Sequence, residues 1–198
     1  MVFCLAANYY LPYGKLTDMR KIYLQLTLSL TAILFTVICF AADNDSLKAQ
    51  LIKDWQRAKE YTRSYLEKMP AGKYSYRPVD SIRSFAEQML HLAQANVGLV
   101  SNGTGKDPIF AGRNLEKSAS AQSRDSVVYL TMASYDYCID AIKGMDASKM
   151  DEVVKKWGLS ETRRSWVLKG FEHQTHHRGQ CTIYIRMQGI TPPNERLF

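Results

Sequence analysis

The sequence predicts an all-α fold of four helices behind an N-terminal export signal. Four stretches carry apolar residues at helical spacing, roughly 46–69, 80–100, 123–143 and 160–193. Proline and glycine mark the breaks between them: Pro70 with Gly72, the run SNGTGKDP at 101–108, Gly144, and Gly189 followed by Pro192 and Pro193. Ahead of them, Arg20 and Lys21 precede residues 22–42, which hold no charged side chain. At 198 residues the chain is one domain by length. The expected division is an extension plus signal over 1–42 and a helical domain over 43–198.

In the N-terminal segment, Met19-Arg-Lys opens a basic start, and small residues precede Asp43. Cleavage after Ala41 places Cys39 three residues upstream, a better fit than Phe40 for cleavage after Ala42. Residues 1–18 read as an upstream extension, with Met19 as a start. Uncleaved, the apolar run is long enough to act as a membrane anchor. Ile38 is too bulky for a lipoprotein site at Cys39. Both outcomes imply an exported domain, periplasmic or extracellular, with membrane contact only if the signal stays on.

In the first helix, Leu47, Leu51, Trp55, Ala58, Thr62 and Tyr65 form one stripe, and Trp55 reads as core. The second helix is expected to start from Asp80 or Ser81 and to bury Ile82, Phe85, Ala86, Met89, Ala93, Asn96 and Val100. His91 falls on the opposite face with Ser84, Glu87, Gln88, Ala95 and Gly98, where a histidine is ordinarily solvent-facing. Residues 101–121 form a loop long for a bundle connection, placed to arch over a site. Ser123 or Asp125 starts the third helix, whose face carries Val127, Leu130, Tyr135, Cys138 and Ile142. A connector with a short helix near 149–156 leads to the fourth helix, capped by Ser160.

The fourth helix holds three of the four histidines, within five residues: His173, His176 and His177. At 100° per residue, Trp166, Gly170, His173, His177, Gln180, Tyr184 and Met187 share a stripe. Histidines one turn apart can aim both rings at one ion. Spacing alone leaves His176 open as the second ligand. The segment His173-Gln-Thr-His-His lacks the glutamate of the H-E-x-x-H protease signature, since Gln174 stands in its place.

The run HQTHHRGQ followed by YIRMQGITPP resembles the last helix of the DinB-like (YfiT-like) family, whose pattern is H-x-x-x-H-R-G-Q, then Arg, then G-x-x-P-P. HLAQAN at His91 is similar to the family's earlier histidine-bearing helix. The resemblance spans roughly 47–193. It implies an up-down-type four-helix bundle and a divalent metal, Zn, Ni or Fe, held by His91, His173 and His177. It also implies metal-dependent thiol S-transfer in some members and hydrolysis in others. Three protein ligands leave positions open, as in catalytic sites. Glu87, one turn before His91, is the available carboxylate, to orient His91 or act as base, and Gln180 is placed to bond water or substrate.

The net charge of +7 falls to +5 without residues 1–42, which carry Lys15, Arg20, Lys21 and Asp18. The remaining bases alternate with acids, so no nucleic-acid interface is expected. Cys138 and Cys181 can pair in an oxidising compartment or serve as small core residues, and no C-x-x-C occurs. The expected partner is a small-molecule substrate, with a homodimer through helix faces left open. Two other readings compete with the enzyme: a non-catalytic metal-binding or interaction bundle, and a bundle that binds no metal.

Overall fold

The computed structural model describes the backbone of residues 13–198 and the side chains of 19–33 and 43–198. The order is α1 (Tyr13–Lys68), α2 (Phe85–Thr104), α3 (Arg124–Gly144), β1 (Val153–Lys156), β2 (Leu159–Thr162) and α4 (Arg163–Arg186). The chain divides into two compact units, Met1–Asp43 and Asn44–Phe198.

α1 is longer than expected because no glycine or proline interrupts the sequence between Gly14 and Pro70. In the first unit, apolar side chains from Met19 to Ile33 are exposed. Among the described residues, no helix is long and apolar enough to cross a membrane. The expected cleavage point at Ala41 or Ala42 lies outside the described side chains, as do Cys4 and Cys39.

In the second unit, all four helices contribute to one core. Leu51, Trp55, Leu66, Phe85, Met89, Leu90, Val127, Tyr135, Ile142, Val167 and Ile185 are buried. Trp55 is fully enclosed, with Tyr135 and Phe171 edge-on at 5.8 and 5.7 Å between ring centroids. Cys138 and Cys181 are buried free thiols, and burial raises both pKa values.

A buried polar cluster joins three helices. Arg178 Nη1 and Tyr135 Oη both donate to Gln174 Oε1, at 2.7 and 2.8 Å. Arg178 also reaches Thr62 Oγ1 at 3.4 Å and stacks over Tyr61, 4.5 Å from its centroid. Arg178 is thus held inside the domain by an amide oxygen, a hydroxyl and an aromatic face.

Two departures from the all-α expectation have local causes. The short helix expected near 149–156 is a turn, Ala147–Lys149, followed by an antiparallel hairpin that pairs Val153 with Thr162 and Lys156 with Leu159. Paired β-branched valines and the two-residue Trp157-Gly158 turn favour that hairpin over a helix. β2 absorbs Ser160, so the cap of α4 is Thr162, whose hydroxyl accepts from Ser165 N–H. Similarly, α2 starts at Phe85 and not at Asp80 or Ser81. Ser84 accepts from Glu87 N–H while Glu87 accepts from Ser84 N–H, a reciprocal capping box.

Candidate metal centre

The centre is assembled where α2 crosses α4. A β-carbon at Gly103 would stand 2.5 Å from Arg163 O and 3.1 Å from Trp166 Cβ, so only glycine permits this approach. At Gly170 an added β-carbon would sit in ordinary contact with Leu99, Val100 and Trp55, at 3.4–3.6 Å. The capping box fixes the start of α2 and hence the rotation of His91, two turns on. The i, i+4 spacing on α4 stacks His173 and His177 on the facing side.

The ring centroids of His91, His173 and His177 lie 5.1, 4.5 and 4.4 Å apart, pair by pair. One ligating nitrogen from each lies within 4.8 Å of the other two. Metal–nitrogen bonds of about 2.1 Å imply nitrogens roughly 3.4 Å apart in a tetrahedral set, which ring rotations could reach. His176 is outside the trio. It faces solvent, with its Nε2 at 3.1 Å from Gln180 Nε2.

Partners of the second nitrogens define which lone pairs are free. Glu116 Oε1 lies 2.5 Å from His91 Nδ1, and a carboxylate can only accept, so Nδ1 carries the hydrogen. Arg83 Nη2 also approaches Nδ1, at 3.3 Å, but the shorter carboxylate contact decides the tautomer. Arg83 Nε donates to the other Glu116 oxygen at 2.6 Å. His177 Nδ1 donates to Gln88 Oε1 at 2.8 Å. Gln88 in turn donates to Tyr184 Oη, which donates to Arg83 O. Nε2 is left available on both rings, the arrangement found behind metal-bound histidines. Among the described residues, His173 Nδ1 is buried with no hydrogen-bond partner.

Protonation favours the same chemistry. Burial first, then the neighbouring His91 and His176, lowers the pKa of His173 to about 4. Burial, His173 and His91 lower that of His177 to about 3. Both rings are therefore neutral near pH 7, with lone pairs free to bind. Burial pushes the Glu116 carboxyl up, but its bonds to Arg83 and His91 outweigh that and hold it below the usual carboxylate range.

Of the other expected residues, Glu87 lines the cleft beside the trio while its Oε2 is held at the α2 cap. Its Oε2 accepts from Ser84 N–H at 2.7 Å and from Arg77 at 2.8 Å, and the carboxylate at His91 is Glu116. Gln180 borders the site: it lines a cleft of about 670 Å³ with Gln88, Glu116, His176 and His177, and its Oε1 is buried without a partner. A second cleft, of about 500 Å³, opens on the His91 side. Glu116, Gln88 and Arg83 were not singled out as functional in the sequence. Gln88 shares the polar face of α2 with His91, which is a usable signal; Glu116 lies in a loop without periodicity.

The DinB family model matches residues 43–196. The chain belongs to the DinB family. Its fold is similar to a DinB-like protein from Bacillus cereus ATCC 10987, with TM-score 0.63 and 18% identity over 74% of this chain and 95% of that one. The DinB-like protein YjoA from Bacillus subtilis aligns with TM-score 0.60 and 18% identity over 75% and 96%. A DinB-family member from Exiguobacterium sibiricum gives 0.54 and 20% over 76% and 97%. No curated protein matches the chain. In this DinB-family chain, three close histidines could hold a metal ion, and the donor set suits a borderline-soft divalent cation.

Proposed function

We propose that this DinB-family protein is an exported metal-dependent enzyme in which His91, His173 and His177 bind a divalent transition metal, Zn, Ni or Fe. The observation that carries the reading is one ligating nitrogen from each of the three rings within 4.8 Å of the others, with Nδ1 of His91 and of His177 held from behind. When bound, such a metal acts as a Lewis acid that lowers the pKa of a coordinated water or thiol and polarises a carbonyl.

The chain's own residues then divide the work. Glu116 and Gln88 hold the His91 and His177 rings by their Nδ1 hydrogens. Arg83 keeps Glu116 ionised, and Gln180 offers its unpartnered Oε1 to a donor on the substrate. The adjoining clefts admit a small molecule, which favours catalysis over a sealed, purely structural metal. Glu116 is committed to His91 and Arg83, whereas Glu87 uses only Oε2 at the α2 cap and lines the cleft. Hydrolysis and transfer of a thiol to an electrophile both fit this arrangement.

Metal analysis of the wild type beside His173→Ala and His177→Ala tests the centre. Bound metal in the wild type alone is expected; equal content in all three overturns it. A screen of electrophiles with a low-molecular-weight thiol, with and without chelator, then tests the reaction. Export is tested by the N-terminus of protein recovered outside the cytoplasm, expected just after Ala41.

A further inference from the structure

We propose that the 500 Å³ cleft beside His91 is a subsite for the aromatic ring of a small carboxylate substrate. This rests on the enzyme reading above and specifies its substrate class. The argument begins at the hairpin turn. Both central residues have positive φ, Trp157 at 53° and Gly158 at 80°. Glycine adopts that conformation freely, whereas a bulky side chain adopts it rarely and under strain.

The strain does not serve to bury the indole. Trp157 remains 65% exposed, touching Trp166 edge-on at 5.6 Å. Beneath it α2 presents Gly98, where an added β-carbon would lie 3.3 Å from Trp157 Cη2. Any larger residue there would lift the indole or narrow the cleft. Phe110, from the α2–α3 loop, supplies a second aromatic wall, and His91 and Glu116 close the end toward the metal centre. A strained, exposed aromatic held over a glycine beside a candidate site is the kind of outlier from which function is inferred.

Charge specifies the other half of the ligand. Arg113 borders the cleft, with its guanidinium 5.9 Å from the Phe110 centroid. It makes no ion pair among the described residues. Its main-chain carbonyl accepts from Gln94, so the backbone is held while the guanidinium, over Phe110, keeps its N–H donors for a ligand. A ring between Trp157 and Phe110, with a carboxylate at Arg113, fits both walls and the charge.

Calorimetric titration of the full chain with phenylacetate and cyclohexylacetate, each with and without zinc, tests the assignment. The two acids share their charge and differ in the flatness of the ring. Phenylacetate is expected to bind at least about threefold more tightly. Arg113→Gln is expected to weaken it at least about fivefold. Trp157→Asn places a residue suited to the turn, so its unfolding temperature is expected to hold or rise while phenylacetate affinity drops at least about threefold. Gly98→Leu, which fills the cleft without touching the hairpin sequence, is expected to do the same to affinity. Equal affinity for the two acids, or unchanged phenylacetate binding in any of the three variants, overturns the proposal. Should zinc bind while these variants change nothing, only the cleft assignment falls. Should zinc fail to bind, the ring preference of the metal-free protein still decides the cleft.

Discussion

Each histidine of the centre treats its second nitrogen differently, and the consequences can be measured. Glu116 fixes His91 through a short bond that Arg83 supports from behind. Glu116→Gln keeps an acceptor but removes the charge, and zinc affinity in a chelator competition is expected to fall about tenfold or more with the fold retained. Glu87 works on stability. Burial raises its pKa, but the Ser84 N–H and the Arg77 guanidinium outweigh that and the net shift is downward. A depressed carboxyl stabilises the fold above its unfolded pKa, and that contribution is lost as pH falls through the folded value. Glu87→Gln is therefore expected to narrow the stability gap from wild type in acid, when both are followed by urea unfolding from pH 7 downward. Helical spacing puts His173 and His177 on one face but leaves His176 open, and only the family motif ties His91 to them. The structure brings these three rings together. Glu116 was not legible in the sequence, because it comes 25 residues after His91 on an aperiodic loop. Glu87, one turn before His91, lines the same cleft as Gln180 and His177, while its Oε2 closes the cap of α2.

At the level of elements, the α2–α4 crossing sets the centre. Gly103→Ala forces a methyl against a main-chain oxygen, and a loss of about 1–3 kcal/mol in urea unfolding is expected, with weakened zinc binding because the helices part. Ser84→Ala removes one half of the capping box and is expected to cost about 1 kcal/mol by the same measurement. The four helices could be read from apolar spacing, since each has one face in a shared core. Their starts could not, because several residues compete to cap. Ser84-x-x-Glu87 outcompeted Asp80 and Ser81 by closing two hydrogen bonds at once. The hairpin escaped notice because its turn places tryptophan where asparagine is usual, hiding the pattern behind the very residue that gives the cleft its wall.

For the molecule as a whole, the three histidines, their supporting residues and the described core all belong to Asn44–Phe198. A chain starting at residue 44 is expected to match the full chain in zinc content and in the midpoint of zinc-dependent thermal unfolding. The family motif made the helical fold readable despite identities near 18% to the structural relatives, since such a bundle constrains faces more than particular residues.

The buried cluster around Gln174 has one last implication. Its oxygen accepts from Arg178 and Tyr135. A single codon change to glutamate would spell the zinc-protease signature across positions 173–177. The new acid would neutralise an interior cation and leave water at the ion without a helper. Such a variant would look like a peptidase to any pattern search and cut nothing.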